Sequence, residues 1–290
     1  MERLSIKTVR DSVIGADAVL ETPFGLKPLV YADYGASGRA SAIVEARLAS
    51  DAALYANPHN EDSATGQAAT GALHQACAAI KRAVGADDGH ALVTTGFGAT
   101  AGIHRLQEIL GLAIPPATRA ALEAAGVDMC ASLGQQRPLV FIGPYEHHSN
   151  ELSWRESLAQ VVRIGLAGDG GIDFEDLEAR LGDPAFQGRR KIGAFSAASN
   201  VTGVKTDVDR LARLLHRHGA VLALDCAASA PYLPIEMTGG GDADARIDAL
   251  YCSPHKMIGG PGACGILIFD KGLYRSDLAP TVSGGGTVRY

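Results

Sequence analysis

The segment TDVDRLARLLHRHGAVLALDCAAS, residues 206–229, decides the fold. Val208, Leu211, Leu214 and Leu215 fall on one stripe of a helix over 206–218, with Thr206 as the expected N-cap. The run AVLALD (220–225) then reads as a strand that is continuously apolar up to its terminal acid. Continuous rather than alternating hydrophobicity is the pattern of a parallel strand covered on both faces.

The same unit recurs outward in both directions. LVYAD (29–33), HALVT (90–94), PLVFIG (138–143), QVVRIG (160–165), KIGAFS (191–196), DALYC (248–252) and CGILIF (264–269) read as further strands. Between them lie Ala-rich helical stretches at 39–50 and 65–84, and a helix over 173–182 opened by Asp173. Strand–helix alternation of this kind predicts an α/β fold with a mainly parallel sheet and helices on both faces. Residues 1–28 read as a polar arm of little periodicity, and 113–136, with Pro115-Pro116, as an insertion. No internal repeat or low-complexity tract interrupts the pattern.

Composition narrows the function classes. The chain has 290 residues, is 47% hydrophobic and 20% charged, and carries a formal net charge of −6. That is an ordinary globular composition with room for a large core. An acidic balance without a Lys/Arg run argues against nucleic-acid binding. No stretch approaches 18 apolar residues and the N-terminus lacks a signal-like apolar region, so a cytoplasmic, non-membrane protein is expected. Glycine is over-represented, 35 residues, as suits many tight strand–helix turns. The five cysteines, Cys77, Cys130, Cys226, Cys252 and Cys264, show no CxxC spacing and read as reduced, mostly buried thiols.

In an open parallel sheet the ligand sits beyond the carboxyl ends of the strands, so the residues after each strand carry the functional signal. TGFGATAG (95–102) is a Gly-rich turn running into a helix, either a plain turn or an anion cradle to which Thr100 adds a hydroxyl. It matches neither the P-loop nor the dinucleotide fingerprint. PYEHHSNE (144–151) holds two adjacent histidines that point apart on a turn, and no further ligand is spaced for a metal. His216 and His218 sit at a polar helix end, where capping and solvation are expected. Asn200 in AASNVTG is a turn residue or a ligand contact. Asp225, at the tip of an apolar strand, caps the next segment or faces a cation. Lys256 in SPHKMIGGPGACG (253–265) is a solvated lysine or a buried amine suited to imine chemistry. Taken together in this chain order, an anion site, a flat imidazole, a strand-end acid and a lysine in a Gly-rich turn describe a pyridoxal 5′-phosphate (PLP) pocket.

EHHSN, SNVTG, LDCAAS, SPHK and the terminal SGGGT carry a close resemblance, from about residue 29 onward, to the class V aminotransferase family of PLP-dependent enzymes. The resemblance is strongest to its cysteine desulfurase and selenocysteine lyase branch. It implies a fold type I large domain over 29–290, with Lys256 as the Schiff-base lysine, His147 stacked on the pyridine ring and Asp225 holding the ring nitrogen protonated. Gly98, Ala99, Thr100, Ser253 and His255 match the phosphate site, Asn200 the asparagine beside the ring oxygen, and Thr287 the residue reaching the partner's phosphate in family homodimers. It also implies an amino-acid substrate and a sulfur acceptor protein, and no metal.

Three departures stand out. The family's glutamine three residues after the ring-nitrogen acid is Ala228, which leaves open whether Ser229 supplies the missing donor. A family glycine is Pro254. Relatives continue into a small C-terminal domain that carries the substrate-carboxylate arginine and the nucleophilic cysteine, so a C-terminally incomplete chain that binds PLP but turns over poorly is expected. Cysteine desulfuration is the leading expectation, with transamination or a non-catalytic PLP-fold subunit as alternatives.

Overall fold

A computed structural model describes residues 5–60, 62–282 and 284. Seven strands form one sheet: β3 (His90–Thr95), β4 (Leu139–Ile142), β5 (Gln160–Arg163), β6 (Lys191–Ser196), β7 (Ala220–Asp225), β8 (Ala249–Cys252) and β9 (Gly265–Asp270), in the order β3-β9-β8-β7-β6-β4-β5. The β8–β7–β6–β4–β5 portion is parallel throughout, whereas β9 runs antiparallel to both β8 and β3. The sheet is thus mainly parallel, as the apolar runs predict. A two-stranded antiparallel hairpin, β1 (Val19–Thr22) and β2 (Gly25–Pro28), lies apart from it.

Side-chain alternation divides the core into two layers. Leu139, Phe141, Leu222, Leu224, Leu250, Ile266 and Ile268 face one way, where they pack with Leu177, Leu181, Leu211 and Leu215. These last come from α8 (Phe174–Leu181) and α9 (Val208–Arg217). Val140, Ile142, Ala223, Tyr251 and Leu267 face the other way, against Ile103 and Leu106 of α4 (Gly98–Ile109) and Trp154 of α7 (Leu152–Arg155). Both sheet faces are therefore buried, which is why strands such as LVFI contain no polar residue.

The remaining helices are α1 (Ile6–Asp11), α2 (Ala42–Ala52), α3 (Ala64–Ala83), α5 (Pro116–Ala124) and α6 (Met129–Leu133). Asp173 caps α8 as expected, accepting from Glu175 N and Asp176 N.

Several local expectations are corrected. LVYAD (29–33) is not a strand: the Tyr31 hydroxyl donates to the carbonyls of Asp33 and Ser37, closing a loop. The arm carries α1 and the hairpin. The helix read from residue 39 starts at Ala42, and 113–136 includes α5 and α6. The cap of α9 is Asp207, which accepts from Arg210 N, because the Thr206 hydroxyl is used on the Ser196 carbonyl at 2.6 Å. His216 is not solvated but buried against Asp248 at 2.8 Å. Only Cys226 and Cys252 are buried, Cys77 and Cys130 are intermediate, and Cys264 is exposed.

Candidate active site

The carboxyl ends of β4, β6, β7 and β8 open onto a single cavity of about 430 Å³. Its lining includes Ala99, Thr100, His147, Asn200, Asp225, Ser253, His255 and Lys256, together with Ala228. Eight of the residues singled out from sequence therefore meet in space although they span more than half the chain. Gly98 lies just beneath the lining, and Thr287 falls outside the described residues.

On one flank the first turn of α4 meets the turn after β8. Ala99 N donates to Ser253 Oγ at 2.8 Å, so the Ser253 hydroxyl keeps its own proton for an acceptor in the cavity. Gly98 makes this approach possible. It adopts φ +55, and a Cβ there would lie 2.7 Å from Ser253 Oγ and 2.9 Å from His255 Cε1. A helix N-terminus with an added hydroxyl is an anion site by its geometry and dipole.

At the centre, Asp225 is 4% exposed. Its Oδ1 accepts from Ala227 N at 2.8 Å, and among the described residues no other hydrogen bond reaches the carboxyl group. Burial pushes its pKa up to about 6, opposed by the Ala227 N–H and by the charge of Lys256. A buried carboxylate with a free oxygen facing a cavity calls for a cationic donor. Lys256 lines the cavity, and no hydrogen bond or ion pair engages its Nζ among the described residues.

His147 stands at the mouth, after β4. Its Nδ1 accepts from Ser149 N at 3.2 Å, which places the proton of the neutral ring on Nε2. Burial, Lys256 and His148 all lower its pKa, so the ring is neutral at pH 7. His148 does not line the cavity, and the two imidazole centroids lie 6.4 Å apart. Among the described residues no group of three or more His, Cys, Asp or Glu is placed to hold a metal ion, and no helix is long and apolar enough to cross a membrane.

The loop 33–39 forms a further wall. Gly38 N donates to the His255 carbonyl at 2.9 Å and Gly259 N to the Arg39 carbonyl at 2.7 Å, pinning this loop on the Lys256 turn. Asp33, Gly35 and Ala36 therefore reach the cavity, a contribution that no local signal in the sequence announces. Sequence reading also missed Ser196 and the buried Glu146. The signal for Glu146 was an acid directly before the two histidines. Ser229 does not take over from Ala228: it is buried and faces a separate cavity with Cys226 and Leu233.

The chain is similar to known proteins. The family model Aminotransferase class-V matches residues 116–290. A "Probable cysteine desulfurase" of Halalkalibacterium halodurans is 29% identical over 277 residues, covering 94% of this chain and 60% of the relative. A "Probable cysteine desulfurase 2" of Mycobacterium leprae is 32% identical over 147 residues, 49% of this chain and 32% of that protein. Among solved structures, the apo cysteine desulfurase of Thermococcus onnurineus superposes with a TM-score of 0.74 at 20% identity, covering 100% of this chain and 63% of that one. The cysteine desulfurase CsdA of Escherichia coli gives 0.71 at 23% identity, with coverage of 100% and 63%. The chain thus spans less than two thirds of the length of these relatives, and the structural likeness establishes the shared fold.

Proposed function

This chain belongs to the class V aminotransferase family, and from that premise we propose that its cavity is a PLP site acting on an amino acid, with cysteine desulfurase-like C–S cleavage as its reaction. The observation that carries the reading is the convergence of Lys256, Asp225 and His147 on one cavity that also contains an anion cradle.

The residues present fit the cofactor. Its phosphate matches the Ala99–Ser253 corner, which the absent side chain of Gly98 keeps open, and its protonated ring nitrogen matches the free oxygen of Asp225. When bound, PLP supplies an electron-accepting ring conjugated to the substrate Cα. Asp225 holds the proton on the ring nitrogen. His147, neutral and flat, would cover the ring and exclude water from it. Thr100, Ser253 and His255 bind the phosphate, and Asn200 borders the ring's oxygen edge. Lys256 would hold the cofactor covalently, and its amine, when free, would be the base placed to take the proton from the substrate Cα.

A homodimer, an acceptor protein for the released sulfur and a cytoplasmic setting belong to the same proposal. The 91% exposure of Phe97 at the rim of the cavity supports a covering second chain, and five free cysteines suit a reducing compartment.

Incubating the protein with PLP and a panel of amino acids tests the reading. Alanine from cysteine, with the sulfur appearing as sulfide when a dithiol reductant is added, together with a borohydride-reducible adduct that Lys256→Ala abolishes, are the expected results. A keto acid without sulfide would replace desulfuration by transamination. An undiminished adduct in Lys256→Ala would refute the lysine assignment.

A further inference from the structure

Behind the cavity wall, bonded to Ser196, lies a buried carboxyl group with no part in the scheme above. Glu146 takes three donors on two oxygens. Ser196 N reaches Oε1 at 3.0 Å, while Ser196 Oγ and Asn150 Nδ2 each reach Oε2 at 2.7 Å. Asn150 has no freedom to turn, because its Oδ1 accepts from Trp154 Nε1 at 3.1 Å and Tyr251 OH at 2.5 Å. Gly143 admits the carboxyl group, since a Cβ there would come within 2.5 Å of Glu146 Oε1.

Ser196 ends β6 as the register partner of Asp225 and lines the cavity. The sheet order sets it on the flank of Asp225 opposite Ser253, which follows β8. PLP carries its phosphate arm and its phenolic oxygen on opposite sides of the axis through the ring nitrogen. A ring seated on Asp225 with its phosphate at Ser253 therefore turns its phenolic oxygen toward β6 and Ala228. Ala228 offers no donor there, and Ser229 faces away.

We propose that Ser196 donates the missing hydrogen bond to the phenolic oxygen of PLP, with Glu146 as the positioning residue that aims its hydroxyl. This inference rests on the PLP reading of the cavity. While Glu146 is ionised, the serine proton is directed at Oε2. When Oε2 takes a proton from solvent, its O–H donates back to Ser196 Oγ across the same contact, and the serine proton turns into the cavity. Burial chiefly favours the protonated form, the bonds from Ser196 and Asn150 oppose it, and the Asp225 charge adds to it, bringing Glu146 to about 7. The titratable groups facing it are Asp225 on β7, Tyr251 on β8 and its own neighbours Tyr145 and His147, with Lys256 across the cavity. Burial pushes both tyrosines up, so they stay neutral throughout.

Equilibrium dialysis of the full chain with PLP and with 3-deoxy-PLP, which lacks the phenolic oxygen, at pH 6 and pH 8.5 tests the assignment. Ser196→Ala is expected to cut PLP affinity at pH 6 about tenfold, the loss of one hydrogen bond to a charged oxygen, and to leave 3-deoxy-PLP binding unchanged. Adding Ala228→Gln to Ser196→Ala restores the preference for PLP. In the wild type that serine-dependent preference shrinks at pH 8.5. Glu146→Ala, which leaves no carboxylate to take the serine proton, makes that preference the same at both pH values. An unchanged preference in Ser196→Ala overturns the serine assignment alone. A wild type that retains neither ligand overturns the PLP reading and this inference together.

Discussion

The backbone N–H of Ala99 donates to Ser253 Oγ at 2.8 Å, tying the start of α4 to the turn after β8. The bond occupies a lone pair of the hydroxyl and leaves its proton to meet an anion. Ser253→Ala removes that donor and frees the Ala99 N–H at the same place. It should weaken retention of PLP about tenfold and leave the affinity for unphosphorylated pyridoxal unchanged, as dialysis against the two ligands would show. Equal losses for both would disconnect Ser253 from the phosphate.

Asp225 carries a cost in the protein without cofactor. Its folded pKa of about 6 exceeds the ordinary ~3.9 of an aspartate, so folding binds its proton more tightly. The penalty is absent below about pH 4, grows between about 4 and 6, and is complete above. Asp225→Asn keeps the acceptor for Ala227 N and should stabilise the cofactor-free protein at pH 7 by about 2–3 kcal/mol. Thermal melts of both forms at pH 4 and pH 7 check this, with the gain expected only at pH 7. The same variant should exchange the substrate Cα proton orders of magnitude more slowly.

His216 shows the opposite sign. Its Nδ1 meets the Asp244 carbonyl at 2.7 Å and its Nε2 meets Asp248 at 2.8 Å, so both ring nitrogens face acceptors. Burial lowers its pKa, but the hydrogen bonds to Asp248 and Asp244 outweigh it and the net shift is upward. The stability it contributes is complete below ~6.5 and is lost as pH rises through the raised folded value. The wild type should therefore lose more stability between pH 6 and pH 9 than His216→Gln does. Asp248→Ala also strips acceptors from Leu222 N and Arg246 and should cost about 3 kcal/mol. Parallel pH profiles for wild type and His216→Gln would remove the histidine from the account.

Gly98→Ala tests the corner sterically. Its φ of +55 disfavours a side chain, and the new Cβ would meet Ser253 Oγ at 2.7 Å and His255 Cε1 at 2.9 Å. The expected outcome is a loss of about 1–3 kcal/mol in stability with a larger loss of PLP retention, read by melting and dialysis together. A variant that melts lower but retains PLP normally would show that the corner tolerates the shift.

Much of this was legible in one dimension. The apolar runs at 191–196 and 220–225 match β6 and β7 residue for residue, because a strand covered on both faces is apolar between its ends. Lys256, His147 and Asp225 stood out because each ends or follows such a run, where a parallel sheet opens its ligand site. Asp173 was readable as a cap because its bonds run only to residues two and three ahead.

Tertiary structure decided the rest, wherever the partner lies far along the chain. LVYAD has the composition of a strand but pairs with none; Tyr31 closes a loop instead, and that loop becomes a wall of the cavity. The antiparallel setting of β9 between β3 and β8 leaves no mark in CGILIF, since burial on both faces asks for the same residues in either direction. Glu146 is held behind the cavity wall only because Ser196, 50 residues on, and Asn150 bring three donors to it. The direction of Ser229, away from the cavity and toward Leu233, depended on how the turn after β7 packs. Local hydrophobicity and turn chemistry act through near neighbours and are written in the sequence itself, whereas strand order, buried charge partners and the facing of a side chain exist only once distant segments share one core.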